Sequence, residues 1–268
     1  MLGQLNLAGR DKESEAIERI RDNVPANEPY FVAFSGGKDS VVAYDLTLRS
    51  GVPFEVHCSD TGIDPPELVY FVRENYPNII HDKPRERIWP LVERKGLPHR
   101  TARFCCEFLK ECHGYGRTVL TGIRWAESAR RRQRQLVEHS HWHKKVFVNP
   151  IIDWTTDDVW EYIHTHHLPY CSLYDEGWTR LGCVLCPLSS ARHVQQEVAR
   201  WPKIADAWFR AAERFYTKHE NAQKRWPTPE AMFQWWLDRK PVPRNMAAQY
   251  QMVMGETERE AISGGLTT

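Results

Sequence analysis

Residues 35–40, with the sequence Ser-Gly-Gly-Lys-Asp-Ser, combine two glycines with hydroxyl, ammonium and carboxylate groups. Glycines allow backbone N–H groups to curve around an anion, and Lys38 with the two flanking serines adds further donors. This chemistry favours a phosphate-rich ligand. The segment is not a Walker A loop, because the chain contains no G-x-x-x-x-G-K-[ST] sequence. The alternative interpretation is an ordinary Gly-Gly turn between a strand and a helix.

Four of the seven cysteines form two close pairs, Cys105-Cys106 and Cys183-Val184-Leu185-Cys186. A C-x-x-C segment can supply two thiolates to one metal centre, and a distant pair completes four-coordination. Adjacent cysteines suit an iron–sulfur cubane better than one tetrahedral zinc ion, because consecutive side chains diverge and the irons are spread out. Zinc and a thiol redox pair are the alternatives. The other cysteines have no partner spacing, although Cys112 is an alternative to one of the adjacent pair: Cys58, Cys112 and Cys171.

The densest run of positive charge comprises five arginines, Arg124, Arg130, Arg131, Arg132 and Arg134. Guanidinium groups bind phosphate oxygens bidentately, so Arg124 and Arg130 are candidates for the phosphates of a nucleotide. The remaining arginines are candidates for a nucleic-acid backbone. The alternative is a solvated helix face on which the arginines pair with Glu127 and Glu138.

Three histidines alternate along the chain, at His139, His141 and His143. On a strand this spacing would place three imidazoles on one face, where they could bind a metal ion. Histidines that alternate beside lysines are more typical of a polar loop, which is the preferred interpretation.

Apolar patterning indicates which elements position these groups. Residues 31–34 form an apolar run typical of a buried strand, and Val41, Tyr44 and Leu48 then recur at helical spacing. Residues 35–40 therefore connect a strand to a helix N-terminus, where free N–H groups and the helix dipole favour an anion. A second strand over 52–57 delivers Asp60-Thr61-Gly62 at its C-terminal end, where ligands bind in open α/β sheets.

Later segments continue the alternation of strands and helices. Further strands are predicted over 78–81, 117–124 and 147–152, and helices over 11–21, from Asp64 as N-cap, over 88–95 and from Thr155. This order predicts an α/β fold with a parallel, doubly wound sheet and a C-terminal helical appendage. The predicted organisation is an N-terminal helix in 1–27, a sheet domain in 28–189 and a helical region in 190–268.

Composition limits the possible classes of protein. The chain has 268 residues, 41% of them hydrophobic, which is enough for one large α/β core with an appendage. Its net charge is only +1, so contact with nucleic acid would need a local basic patch. Neither a membrane-spanning run nor a signal-peptide core is evident, which predicts a cytoplasmic protein without membrane contact. Most of the eleven tryptophans are expected in a helical core rather than in base stacking.

Residues 35–40 resemble the SGGxDS loop of the PP-loop ATP pyrophosphatases, whose fold is adenine nucleotide alpha hydrolase-like and which cleave ATP to an adenylated intermediate and pyrophosphate. Other segments resemble the phosphoadenylylsulfate (PAPS) reductase family, in order over roughly residues 28–190. These segments are Arg103–Lys110, Gly122-Ile123-Arg124 with Glu127, Ser128 and Arg130, Pro150–Trp154, and Gly182–Pro187.

The resemblance implies an adenine nucleotide site with ATP and Mg²⁺, and a [4Fe-4S] cluster held by Cys105, Cys106, Cys183 and Cys186. Its implied nucleotide contacts are Phe34, Ser35, Gly36, Gly37, Lys38, Asp39, Ser40, Asp60, Thr61, Gly62, Gly122 and Arg124. Ser35, Lys38, Asp39 and Ser40 would be the catalytic group, which stabilises charge on the departing pyrophosphate together with the loop N–H groups. Arg130, Arg131 and Arg132 are the expected contacts to substrate phosphate.

Two features depart from the sulfonucleotide reductases of this family. In those enzymes the loop sequence is degenerate, whereas the SGGKDS sequence is intact here. They also carry a nucleophilic cysteine in a Glu-Cys-Gly-Leu-His type tail, and this sequence has no cysteine after Cys186. Within this chain, a thiosulfonate intermediate on a C-terminal cysteine is therefore not expected.

The sequence is thus most similar to family members that kept ATP pyrophosphatase chemistry, such as the DndC-like and SspD-like proteins of DNA phosphorothioation. The similarity implies that ATP activates an acceptor by adenylation and that sulfur from a cysteine desulfurase replaces an oxygen. Nucleic acid, with DNA favoured, is the implied acceptor, and RNA and a small molecule remain alternative acceptors. A reductase that releases sulfite from APS or PAPS and a non-catalytic nucleotide-binding regulatory subunit are the alternatives. The protein is expected to form a homo-oligomer or to belong to a multi-protein complex.

Overall fold

The computed structural model describes residues 11–141 and 144–241. Six strands in these ranges form one sheet: β1 Tyr30–Ala33, β2 Phe54–Ser59, β3 Ile80–Asp82, β4 Thr118–Leu120, β5 Val137–Ser140 and β6 Lys145–Val148. Their order is β3-β2-β1-β4-β6-β5, and only β5 pairs antiparallel with its neighbour. The predicted parallel α/β sheet is confirmed. Edge strand β5 was not predicted, and it contains His139 of the region interpreted as a polar loop.

Helices separate the strands and fill the C-terminal part of the described chain. They are α1 Lys12–Asp22, α2 Lys38–Ser50, α3 Pro66–Asn75, α4 Ile88–Lys95, α5 Phe104–Cys106, α6 Thr156–Thr165, α7 Ala191–Arg200, α8 Pro202–Lys218, α9 Glu220–Gln223 and α10 Pro229–Leu237. A π-helical turn spans Glu107–Glu111, and 3₁₀ turns span Trp125–Glu127, Arg131–Gln133 and Ser172–Tyr174. None of the described helices is long and apolar enough to cross a membrane.

The order of the strands reverses between β1 and β4, which lie side by side in the sheet. A parallel sheet leaves a crevice at such a switch point, at the carboxyl ends of its strands, and ligands of α/β proteins bind there. The segment after β1 is residues 34–37, and the segment after β4 begins at Thr121. The two segments singled out by their sequence therefore meet at the expected ligand crevice.

The predicted N-cap of α3 is wrong. Asp64 does not cap the helix, because Pro65 occupies the N-cap position and no side chain caps it. The Asp64 carboxylate instead accepts a hydrogen bond from the Thr61 hydroxyl, at 2.6 Å. Asp64 thus stabilises the turn that follows β2 rather than the helix. The capping box predicted at Thr155 and Asp158 is confirmed at the start of α6.

The described chain divides into two compact units. The first unit comprises the chain up to Arg85 together with Lys110–Gly182, and it contains the sheet with α1, α2, α3 and α6. The second unit comprises Glu86–Leu109 together with the chain from Cys183 onward. This division differs from the boundaries at 28 and 190, because α4 packs against α8, which is more than 100 residues later in the chain.

Tryptophans form much of the core of the second unit. Trp208 of α8 and Trp236 of α10 are almost fully buried and lie with ring centroids 5.1 Å apart. Trp89 of α4 meets Trp208 edge-on at 5.5 Å. The expectation that tryptophans lie in a helical core is therefore confirmed for these residues.

Candidate functional site

Two serine hydroxyl groups form hydrogen bonds within the loop between β1 and α2. The Ser40 hydroxyl donates to the Gly37 carbonyl oxygen at 2.8 Å and accepts from the Ser35 N–H at 3.2 Å. The Ser35 hydroxyl lies 3.2 Å from that of Ser40 and accepts from the Gly37 N–H at 3.4 Å. Gly37 is the N-cap of α2 and has no side chain, so the N-cap residue itself caps none of the first N–H groups of the helix. This arrangement is suited to an anion.

Two cations converge on one carboxylate at the start of α2. The Asp39 carboxylate accepts from Arg124 Nε at 2.7 Å and from Lys38 Nζ at 3.1 Å. Arg124 follows β4, is only 1% exposed, and also donates to the Trp154 carbonyl oxygen at 3.1 Å. Both Asp39 oxygens are therefore bound by cations. This arrangement suits Asp39 better to positioning Lys38 and Arg124 than to binding Mg²⁺ directly.

Two glycines permit the close approach of the neighbouring segments. Gly36 has φ +73°, and a Cβ there would lie 2.5 Å from Val72 and 2.9 Å from Leu68 of α3. A Cβ at Gly122 would lie 2.4 Å from the Asp39 carbonyl oxygen and 3.0 Å from the Ser40 backbone nitrogen. The backbone after β4 therefore touches the first turn of α2, and only glycine fits.

Replacing Gly122 by alanine is expected to displace the first turn of α2. Overpacking against backbone atoms should lower the free energy of unfolding by about 1–3 kcal/mol. A displacement near 1 Å at the loop should lower the rate of a reaction at this site by about 100-fold. Urea unfolding measures the first effect, and a turnover assay measures the second. Gly182→Ala is the matched control, because a Cβ there meets no atom within 4 Å; equal effects in both variants would contradict the steric argument.

Tyr174 contacts the loop, although it belongs to none of the motifs found in the sequence. It lies in the 3₁₀ turn after α6, and its hydroxyl accepts from the Lys38 backbone N–H at 3.0 Å. Lys38 Nζ lies 5.8 Å from the centre of the Tyr174 ring. Burial, as the main cause, raises the pKa of Tyr174 above its ordinary value, so the hydroxyl keeps its proton and can donate it to a ligand oxygen.

The residues after β2 line a pocket that also reaches the loop. Phe34 is buried and its N–H donates to the His57 carbonyl oxygen, so its side chain belongs to the core. Thr61 is buried, Gly62 has φ +70°, and Asp60 is exposed. A pocket that opens to solvent adjoins Asp60, and its lining includes Ser35, Cys58, Asp60, Asp64, Arg73 and His81.

The arginine run lies in short turns on the surface of the first unit. Arg131 pairs with Glu127, and Arg134 Nε pairs with Glu138 at 2.5 Å, as the solvated-face interpretation requires. Arg130 and Arg132 are exposed. Trp125 is also exposed, and its indole N–H donates to the Arg134 carbonyl oxygen at 2.7 Å. The run thus differs from Arg124, which is the one member that lies in the loop site.

The alternating histidines are only partly described. His139 lies on the edge strand β5 and is exposed, and His141 follows that strand. His143 lies outside the described residues. In the described ranges no group of three or more His, Cys, Asp or Glu side chains is arranged to hold a metal ion.

The four paired cysteines all belong to the second unit. A hydrogen bond with Cys106, then burial and the charges of Cys106, Cys183 and Cys186, raise the pKa of Cys105. Cys106, Cys183 and Cys186 therefore all lie near Cys105. Arg103 Nη1 lies 3.6 Å from the Cys106 sulfur. Cys112 belongs to the first unit.

This donor set fits an iron–sulfur cluster better than a single ion. The ligands of a four-iron cluster bind different irons, so their sulfurs lie farther apart than the ligands of one zinc ion. A cluster also needs four cysteines and tolerates positive neighbours such as Arg103.

Solved structures share this fold. The crystal structure of a PAPS reductase from Candida auris, a phosphate complex, has a TM-score of 0.50 and 19% identity, covering 67% of this chain and 96% of that one. The FMN adenylyltransferase of Candida glabrata, in complex with FAD and inorganic pyrophosphate, has a TM-score of 0.50 and 15% identity, covering 65% and 62%. Together with the strand order, these similarities define an α/β fold with a mostly parallel six-stranded sheet.

A sequence profile described as the phosphoadenosine phosphosulfate reductase domain matches residues 29–189. The chain belongs to this family. A relative from Methanocaldococcus jannaschii, described as uncharacterised, is 31% identical over 222 residues, which are 77% of this chain and 46% of that protein. The adenosine 5'-phosphosulfate reductase of Bacillus anthracis is 29% identical over 181 residues, 63% of this chain and 80% of that enzyme. The chain spans about half the length of the two Methanocaldococcus relatives that it matches.

Proposed function

We propose that this chain is a PP-loop ATP pyrophosphatase that converts ATP to AMP and pyrophosphate while it activates an acceptor for sulfur incorporation. The carrying observation is the intact loop, in which Lys38 and Arg124 are held by Asp39 at the N-terminus of α2. Positioned cations and N–H groups are the main means of stabilising phosphoryl transfer.

In the proposed reaction an acceptor oxygen attacks the α-phosphorus of ATP. The bond to the bridging oxygen breaks, and pyrophosphate leaves with the electron pair. Lys38, the Gly36 and Gly37 N–H groups and the hydroxyls of Ser35 and Ser40 would stabilise the charge on that leaving group. Mg²⁺ would be bound mainly by the phosphates, with Asp60 as a carboxylate that lines the same pocket as Ser35.

The cysteine site supports the sulfur half of the proposal. Cys105, Cys106, Cys183 and Cys186 would hold a [4Fe-4S] cluster, which would bind incoming sulfur when present. A cysteine desulfurase is the proposed sulfur source, with a thiol reductant that delivers the sulfur as sulfide. AMP would then leave with the acceptor oxygen as sulfur takes its place.

Nucleic acid, with DNA favoured, is the proposed acceptor, as in the DndC-like proteins that the sequence resembles. The supporting observation is the exposed surface of Arg130, Arg132 and Trp125, which combines phosphate-binding groups with an aromatic ring. Arg131 and Arg134 contribute less to such a surface, because Glu127 and Glu138 already neutralise them.

Changing Arg130 or Arg132 to alanine is expected to weaken binding of DNA similarly for all sequences. Each lost phosphate contact should reduce the slope of log K against log salt concentration by about 1. Arg131→Ala should change the slope less, because Glu127 competes for its charge. Fluorescence anisotropy over a salt series measures the slope, and Arg210→Ala, an exposed arginine of α8, is the control. A slope that is the same in all variants would exclude this surface.

A sulfonucleotide reductase is the second candidate. The match to relatives named adenosine 5'-phosphosulfate reductase favours it. These 268 residues contain no cysteine after Cys186, so a thiol that attacks sulfur in place of that tail cysteine would come from outside them, as from thioredoxin.

One experiment separates the candidates. The protein is purified without oxygen, iron and sulfide are quantified, and it is incubated with ATP or with adenylylsulfate and thioredoxin. Pyrophosphate from ATP, above all when DNA or RNA stimulates it, supports the proposal. Sulfite without pyrophosphate supports the reductase. ATP binding without either product, with DNA and a desulfurase present, supports a regulatory nucleotide-binding subunit.

A further inference from the structure

The C-x-x-C loop has an unusual backbone at its third residue. Leu185 has φ +60°, in the left-handed region that residues other than glycine rarely adopt. Its side chain is fully buried, and the Cys186 N–H donates to the Cys183 carbonyl oxygen at 3.3 Å. Such a conformation persists only when the surrounding structure determines it. Contacts outside the loop must therefore hold the two cysteines in their present arrangement.

A buried carboxylate holds the loop from one side. The Leu185 N–H donates to Glu197 Oε2 at 2.9 Å. Glu197 lies on α7 and is only 4% exposed, and its other oxygen is 3.4 Å from His193 Nε2. A carboxylate is rarely buried to this degree unless its partners compensate for the lost hydration. Its partner here is the backbone of the C-x-x-C loop.

A guanidinium group holds the loop from its carbonyl side. Arg239 Nη2 donates to the carbonyl oxygens of Leu185 and Cys186, both at 2.9 Å. The same side chain donates from Nη1 to the Trp236 carbonyl oxygen at 2.8 Å and lies over the Trp236 ring at 4.6 Å. The planar fork of arginine is needed for this, because an ammonium group is a single point charge.

We infer that Glu197 and Arg239 are positioning residues that preset the C-x-x-C loop for its cluster, and that the charge of Arg239 makes the cluster easier to reduce. This inference rests on the proposed function for the cluster itself. Both residues lie beyond residues 29–189, the part of the chain that the family profile matches. The C-terminal helices therefore complete the cysteine site.

The charge effect follows from elementary electrostatics. Reduction adds negative charge to a cluster that already carries thiolate ligands, and a nearby fixed cation stabilises the reduced form. Arginine stays protonated at any ordinary pH. A purely structural role, such as the capping of α10 through the Trp236 carbonyl, would not require a change of potential.

The first test uses the metal-free protein and measures amide hydrogen exchange at Leu185. Glu197→Ala and Arg239→Gln should each accelerate exchange at this amide by about fivefold or more, as expected for loss of one hydrogen bond. Arg210→Gln, on the same unit, is the control. Circular dichroism establishes whether each variant is folded. If Glu197→Ala does not fold, the milder variant Glu197→Gln replaces it.

The second test uses protein that carries iron. Arg239→Gln should lose iron to a chelator about 10- to 100-fold faster than the unmodified protein, and its midpoint potential should become more negative. Arg239→Lys should keep the potential near its original value but still lose iron faster, because it retains the charge without the fork. Unchanged hydrogen exchange at Leu185 together with unchanged iron loss would overturn this inference but not the proposed cluster. Anaerobic unmodified protein without iron would overturn the proposed cluster, and this role with it.

Discussion

Asp39→Asn is expected to lower the rate of pyrophosphate release from ATP by about 100- to 1,000-fold, the range found when one positioned charge or donor is removed from such a site. The carboxylate holds Arg124 at 2.7 Å and Lys38 at 3.1 Å, and the neutral amide can accept a hydrogen bond but attracts neither cation. Both cations should then lose their fixed positions. The measurement is pyrophosphate release with the acceptor that supports turnover of the unmodified protein.

Stability must be measured in the same variant, since Arg124 is buried. A buried cation that loses its partner destabilises the fold, here by up to about 3 kcal/mol because the amide oxygen still accepts. Asp22→Asn, at the exposed end of α1, is the control for loss of one carboxylate. Folded Asp39→Asn protein with unchanged turnover would show that the cation pair has no part in the reaction. Normal iron content is expected in both variants, because the cysteines belong to the other unit.

Local sequence was sufficient to predict the loop but not its surroundings. Two glycines between an apolar strand and a helical pattern allow few alternatives, although α2 begins at Lys38, three residues before the pattern that starts at Val41. The hydrogen bond of Tyr174 joins residues 136 positions apart, and the Arg124–Asp39 pair joins residues 85 apart. Such contacts depend on the order of strands in the sheet, which periodicity does not encode. Arg124 was selected as a phosphate-binding arginine and through the family resemblance, and neither reason predicts its pairing with Asp39.

The misinterpreted elements have a common cause. Asp64 has the residue type and position of an N-cap, but the Thr61 hydroxyl binds its carboxylate, and Pro65 takes its place. Residues 137–140 alternate as a strand does, yet their polar side chains favoured a loop; as an edge strand, β5 tolerates them. In both cases a tertiary contact decided between two local structures. The Glu197 and Arg239 contacts to the cysteine loop were equally invisible, because neither residue belongs to a motif.

The largest effect on the cysteine site is expected from Cys183→Ser. A serine hydroxyl is a poor ligand for iron, so iron and sulfide should fall to near zero, with loss of the visible absorbance of the cluster. The loop between β1 and α2 contains no atom of this site, so ATP-dependent pyrophosphate release should persist, whereas sulfur incorporation should stop. Cys112→Ser is the matched control and decides the alternative ligand, because Cys112 belongs to the first unit and the four paired cysteines to the second. Iron loss in Cys112→Ser with retention in Cys106→Ser would move one ligand to Cys112. Iron retention in Cys183→Ser would exclude the proposed four-cysteine site, because only three of its sulfurs would then be left.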